Sequence, residues 1–226
     1  MRNRDVDRVL THSMENYLKV IFEILEKQER ATTSAIARRM RIASPSATAM
    51  IKKLDELKMV THEPYRGVRL TEAGRKTALE VVRHHRLIEL YLAEALGMPW
   101  DRVHDEAERL EHVISEDLED RMDAVLGSPT VDPHGSPIPD RDGTVLRVEA
   151  RALSDVSVGQ TVKVVEVEDR DPELLRYLGT LELYPGTEVE VLRIEPYDGP
   201  FFIRCGNREF ILGRAAAHEI RVSGQE

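Results

Sequence analysis

The apolar pattern of this 226-residue chain changes character once, and the change falls on a stretch that no helix or strand interior can cross. Residues 127–143 are dense in proline and glycine and read as an ordered loop or linker. Before it, apolar residues recur at helical spacing. After it they alternate, at 162–167, 188–192, 201–204 and 209–212, with turn signals at Pro185-Gly186 and Asp198-Gly199-Pro200. Alternation of this kind predicts short half-buried strands, and a helix over 171–178 falls between the first two. A small barrel is the natural closure. The single cysteine, Cys205, excludes an intrachain disulfide and a cysteine-based zinc site, and reads as a small apolar residue in a strand.

The overall net charge of −9 hides an asymmetry: residues 1–76 carry a net +6 and residues 77–226 a net −15. A basic head on an acidic body predicts a polyanion for the first and cation chemistry in the second. In the head, Thr11 or Ser13 caps a helix to about Lys27 whose buried stripe is Leu18, Ile21, Phe22 and Leu25. A short helix opens at Thr33-Ser34. After Arg41-Ile42-Ala43, Ser44 as cap and Pro45 at the first helical position open a second. Two short helices joined by about four residues form a helix-turn-helix. Two β-prone runs around Tyr65-Arg66-Gly67 predict a hairpin "wing". Ser44, Pro45, Ser46, Thr48 and Ala49 are short enough to enter a major groove. Lys52, Lys53, Arg66 and Arg69 are placed for phosphates. The bland alternative for this region is a small helical domain that binds protein.

In the body, Thr71 caps a long helix from Glu72 to about Leu96, ended by Gly97 and apolar on two sides, which predicts packing against a second chain. His85 and Glu89 share one of its faces. The next helix carries His104, Glu108, Glu111 and His112 on one stripe. Two imidazoles and two carboxylates so placed attract a divalent metal. A solvated acidic helix is the other reading of that stripe taken alone, since glutamate is a good helix former.

Four pieces, in order, resemble the diphtheria toxin repressor (DtxR/MntR) family of metal-dependent transcriptional regulators: Ser13-Met14-Glu15-Asn16-Tyr17-Leu18, His84-His85-Arg86-Leu87-Ile88-Glu89, His104-Asp105-Glu106-Ala107-Glu108-Arg109-Leu110-Glu111-His112 and Gly135-Ser136-Pro137-Ile138-Pro139. The resemblance implies an α+β multidomain chain. A winged helix-turn-helix domain spans 1–71, a helical metal-binding and dimerisation domain 72–126, a linker 127–150 and an SH3-like (FeoA-type) barrel 151–226. It implies a homodimer that binds a palindromic double-stranded DNA operator when loaded with metal. One site maps to Asn16, Glu108, Glu111 and His112, the other to His85, Glu89 and His104, with Glu166 and Asp169 lent by the barrel. Glu108 replaces the thiolate of the iron-sensing branch, so Mn²⁺ is the first choice and Fe²⁺ the second, two ions per subunit. Lys19 stands where some manganese regulators have a further acid, and Met14 lies two residues from Asn16. His12, His62, His84, His134 and His218 match no ligand position and read as surface or packing residues.

No apolar run approaches the ~18 residues of a membrane span, and the charged N-terminus leads into no signal core, so a cytoplasmic protein is expected. No small organic ligand is expected. A metal-dependent hydrolase would need an HExxH or a nucleophile motif, and the sequence offers neither. A metal-indifferent DNA-binding scaffold is a further alternative.

Overall fold

In the computed structural model the chain is described at residues 10–63, 67–146 and 148–224. It divides into two compact units. One holds the described residues up to His84 with Pro139–Thr144, the other His85–Ile138 with the rest from Val145.

In the first unit, Thr11 accepts from the Met14 N–H and starts α1 (His12–Lys27). Helix α1 buries Met14, Leu18, Ile21 and Phe22; of the expected stripe Leu25 is only half-buried, and Ile24 is buried beside it. Helices α2 (Thr33–Arg39) and α3 (Ser44–Glu56) pack on each other, and α2 also packs on α1. The turn between α2 and α3 takes Arg41 into the left-handed region at φ 54°. The N-cap of α3 is Ala43, which has no capping side chain, so Ser44 is the first helical residue rather than the expected cap. Strands β1 (Val60–Glu63) and β2 (Gly67–Leu70) pair antiparallel, Val60 opposite Leu70 and Glu63 opposite Gly67, as the wing predicted. Residues 64–66 at its tip, Arg66 among them, lie outside the described residues.

Helix α4 (Glu72–Glu94) runs from the first unit into the second, the division falling between His84 and His85. Of its apolar residues Val81, Val82, Leu87 and Ile88 are buried within this chain, Leu90 and Tyr91 are half-buried, and Leu96, just past its end, is exposed. Leu110, Val113, Leu118 and Val125 are further exposed apolar residues of this region. Gly97, at φ 65°, follows the helix end, and α5 spans Val103–Leu110. Leu87, Ile88, Leu92, Val103, Ala107 and Met122 form one apolar cluster that holds α4, α5 and α6 (Glu116–Leu126) together. Each of the larger of these buried side chains contributes roughly 1.5–3 kcal/mol relative to exposure.

After the linker come β3 (Arg151–Ala152), β4 (Thr161–Val167), α7 (Pro172–Thr180), β5 (Glu188–Ile194), β6 (Phe201–Cys205), β7 (Arg208–Leu212), α8 (Arg214–His218) and β8 (Ile220–Gly224). The strands form an antiparallel sheet in the order β3-β8-β4-β5-β6-β7. Alternate residues such as Val162, Val164, Val189, Val191, Phe201 and Ile203 close on one core, which Leu175 and Leu178 of α7 complete. No helix among the described residues is long and apolar enough to cross a membrane.

Candidate metal centres and nucleic-acid interface

The apolar cluster under α4 and α5 brings their polar faces together. His85 Nε2 lies 2.9 Å from Glu89 Oε1, one turn on along α4. His104 Nδ1, from α5, lies 3.0 Å from the same oxygen and 3.2 Å from His85 Nε2. Three donor atoms thus form a triangle with edges of 2.9, 3.0 and 3.2 Å. An octahedral ion with bonds of about 2.1 Å spaces its ligands at about 3.0 Å, so this donor set fits a divalent cation. The other ring nitrogen of His85 meets Glu111 Oε2 at 2.5 Å, and Glu111 Oε1 lies 3.2 Å from His112 Nε2. Burial opposes ionisation of Glu89, yet the charge of His85 and hydrogen bonds from the surrounding imidazoles hold its carboxyl well below the usual range.

The predicted ligands are distributed unequally. His85, Glu89, His104 and Asp169 offer atoms within 4.8 Å of one another, as do His85, Glu108 and Glu111. Asp169 Oδ2 lies 3.7 Å from His104 Nδ1, and Glu108 Oε1 lies 3.9 Å from His104 Nε2. His112 stands two residues past the end of α5, off the predicted helical stripe, and joins neither group. Glu166 also joins neither, accepting instead from the Ser136 hydroxyl at 2.7 Å. In the first unit Asn16 is half-buried on α1, while Met14 and Lys19 are buried.

A third group was not read from the sequence. Glu89, Asp132 and His134, all buried, offer atoms within the same 4.8 Å. Asp132 Oδ1 accepts from the backbone N–H groups of His134 and Ser136 at 2.8 and 3.0 Å, folding the loop on itself. Gly135, at φ 90°, lets the loop touch β4: a Cβ there would sit 1.9 Å from the Val165 carbonyl oxygen. Glu89 Oε2, Asp132 Oδ2 and His134 Nδ1 have no hydrogen-bond partner. Buried polar atoms without partners are costly, and a carboxylate pair facing an imidazole has the chemistry to take a proton or a cation. Burial pushes the Asp132 carboxyl up to about 7, with the Glu89 charge adding to it and His134 and Arg86 opposing. Burial opposes the charged form of His134, but the facing Glu89, Asp132 and Asp169 push it up to about 9. His134, read as a surface or packing residue, is buried and packs on Trp100, and it also stands in this donor group. Its position between Asp132 and the Gly135-Ser136-Pro137 run was the available signal.

The head presents a different surface. Ser44, Pro45, Ser46, Ala49, Lys52 and Lys53 are exposed along α3, and Arg69 is exposed on β2. Thr48 is half-buried, and its hydroxyl donates to the Ser44 carbonyl at 2.9 Å. Ala47, Ile51 and Leu54 bury the opposite face. Small and basic residues on the outer side of the second helix suit groove entry and phosphate contact.

Comparison with known proteins places these features in order along the chain. Residues 9–68 match the model of the iron dependent repressor N-terminal DNA binding domain, residues 71–140 its metal binding and dimerisation domain, and residues 151–224 the FeoA domain. The iron-dependent repressor IdeR of Mycobacterium tuberculosis is 31% identical, over 94% of this chain and 97% of its own. The diphtheria toxin repressor of Corynebacterium diphtheriae is 29% identical, over 94% and 97%. A manganese-dependent transcriptional repressor solved in complex with manganese is 38% identical, with a TM-score of 0.88 over 94% of this chain and all of the other.

Proposed function

The chain belongs to the iron-dependent (DtxR-type) family of metal-dependent, DNA-binding transcriptional repressors, which are not enzymes, and from that premise we propose a manganese-loaded repressor of metal-ion homeostasis genes, with Fe²⁺ as second choice. It binds a palindromic operator in the cytoplasm as a homodimer. The functional divisions are 1–71, 72–126, 127–150 and 151–226.

The observation that carries the metal reading is the triangle of His85 Nε2, His104 Nδ1 and Glu89 Oε1, with edges of 2.9 to 3.2 Å. Two ions are proposed per subunit. On the resemblance, Asn16, Glu108, Glu111 and His112 hold one. His85, Glu89, His104, Asp169 and Glu166 hold the other, with Asp132 and His134 as ligands available to the far side of Glu89. Oxygen-rich sets favour Mn²⁺ over softer ions, and Glu108 supplies a carboxylate where the iron-sensing branch keeps a thiolate. A bound ion contributes positive charge among carboxylates that otherwise repel. It thereby favours the arrangement of the head that fits DNA, and by linkage DNA tightens the metal. The exposed Leu96, Val113, Leu118 and Val125 support the dimer face.

A mobility shift on a palindromic operator tests the proposal. Retardation is expected with Mn²⁺ and lost with chelator. Equal binding in both would sink the metal switch, and indifference to Glu108→Ala and His112→Ala would favour a metal-independent scaffold.

A further inference from the structure

His134 is held from behind. Its Nε2 lies 2.9 Å from the carbonyl oxygen of Trp100, which can only accept, so Nε2 carries a proton. Nδ1 is thereby turned toward Glu89 Oε2 and Asp132 Oδ1, at 3.8 and 4.0 Å. The Trp100 indole stacks on the imidazole, with ring centroids 5.6 Å apart and 23° between planes. The same indole meets Tyr184 at 4.8 Å and 55°, and packs against the core of the six-stranded sheet. Gly179 of α7 leaves room for the pair: a Cβ there would stand 3.2 Å from the Tyr184 hydroxyl and 3.6 Å from Trp100 Nε1. Trp100 offers no ligand atom and no part of the proposed metal sets needs it.

We infer that Trp100 is a positioning residue for the Glu89–Asp132–His134 group. Its carbonyl fixes the His134 tautomer, its ring fixes the plane of the imidazole, and its contact with Tyr184 makes that geometry depend on the six-stranded domain. The inference rests on the metal reading of this group. A ligating histidine needs its ring oriented by outer-shell partners, and mutating one typically weakens metal binding about 10–100-fold; substitution of Trp100 keeps the backbone carbonyl and removes only the stacked ring. The chain contains a single tryptophan, so tryptophan emission reports on the surroundings of Trp100.

The test uses the full chain, Mn²⁺ competition against a fluorescent chelator, and intrinsic fluorescence in the same titration. The wild type is expected to bind Mn²⁺ and to lose tryptophan emission in step with a binding event that His134→Ala abolishes. Trp100→Phe, which keeps an aromatic ring, should hold that event within about threefold of wild type; Trp100→Ala should weaken it about tenfold or more. The event lost in Glu108→Ala should be unchanged in both. With Zn²⁺ bound, ring ¹⁵N shifts should show Nε2 protonated in wild type and Trp100→Phe. Binding that His134→Ala loses but Trp100→Ala keeps at wild-type strength overturns the role of Trp100 alone. A wild type that takes up no Mn²⁺ overturns the metal reading itself.

Discussion

The two oxygens of Glu89 look onto unlike surroundings. Oε1 meets His85 and His104 at 2.9 and 3.0 Å, in a set that runs on through Glu111 and reaches the partly exposed Glu108. Oε2 faces His134 at 3.8 Å, with no hydrogen-bond partner, in a group whose three residues are all buried. The first set is joined by hydrogen bonds and reaches the half-buried Glu108. The second is buried, and Glu89 Oε2, Asp132 Oδ2 and His134 Nδ1 have no hydrogen-bond partner there, a costly arrangement in a low-dielectric interior. One carboxylate therefore faces a more open set through one oxygen and a closed one through the other.

The largest effect should come from removing what the two share. Glu89→Ala leaves His85, His104 and His134 without their common carboxylate in a buried site. Breaking a buried ion pair from one side costs on the order of 3–5 kcal/mol. A fall of that size in urea unfolding of the metal-free protein is expected, with loss of Mn²⁺ uptake at both groups. If Glu89→Ala abolished uptake at only one, the two groups would not depend on a shared oxygen donor.

The next effect separates them. Glu108 belongs with His85 and Glu111 and not to the Glu89–Asp132–His134 group. Glu108→Cys places a soft thiolate there and should move the metal order of operator binding toward Fe²⁺, Co²⁺ and Zn²⁺ relative to Mn²⁺. The His134-dependent uptake should stay as in wild type. An unchanged metal order in side-by-side mobility shifts would show that position 108 does not set the preference.

The contrast also explains what the chain's letters could reveal. His85 with Glu89 and His104 with Glu108 are spaced by one helical turn, so periodicity alone put each pair on one face, and the wing and the alternating strands were legible for the same reason. Asp132 and His134 lie in a loop dense in proline and glycine, where no period exists. They meet Glu89 only because an aspartate-capped turn and Gly135 fold the loop against β4. Glu166 shows a second limit. The β4–β8 register shifts between Val164 and Glu166, and a bulge of this kind redirects the side chains that follow. The resemblance names Glu166 together with Asp169, and here one Glu166 oxygen accepts from the Ser136 hydroxyl. At α3 the cap fell one residue early, on Ala43, because Pro45 tolerates either of the first helical positions.

The smallest effect is a pH dependence confined to the closed group. An unfolded aspartate ionises near 3.9 and an unfolded histidine near 6.5. In the folded metal-free chain Asp132 is pushed up to about 7 and His134 to about 9. Both shifts are upward, so the folded state binds more protons than the unfolded one and stability falls as pH rises. The Asp132 contribution is lost between about 4 and 7. The stability from His134 is fully present below about 6.5 and disappears as pH passes about 9. A bound ion replaces those protons, so Mn²⁺ should raise the melting temperature more at pH 8.5 than at pH 6. Asp132→Asn keeps an oxygen to accept from the His134 and Ser136 N–H groups but cannot ionise. It should flatten the metal-free profile below pH 7, leave a weakened slope toward pH 9, and reduce the gain from Mn²⁺. A metal-free melting temperature that is level from pH 6 to 9 in wild type would mean that the group keeps no protons for an ion to displace, and the distinction between an open and a closed set would have to rest on burial alone.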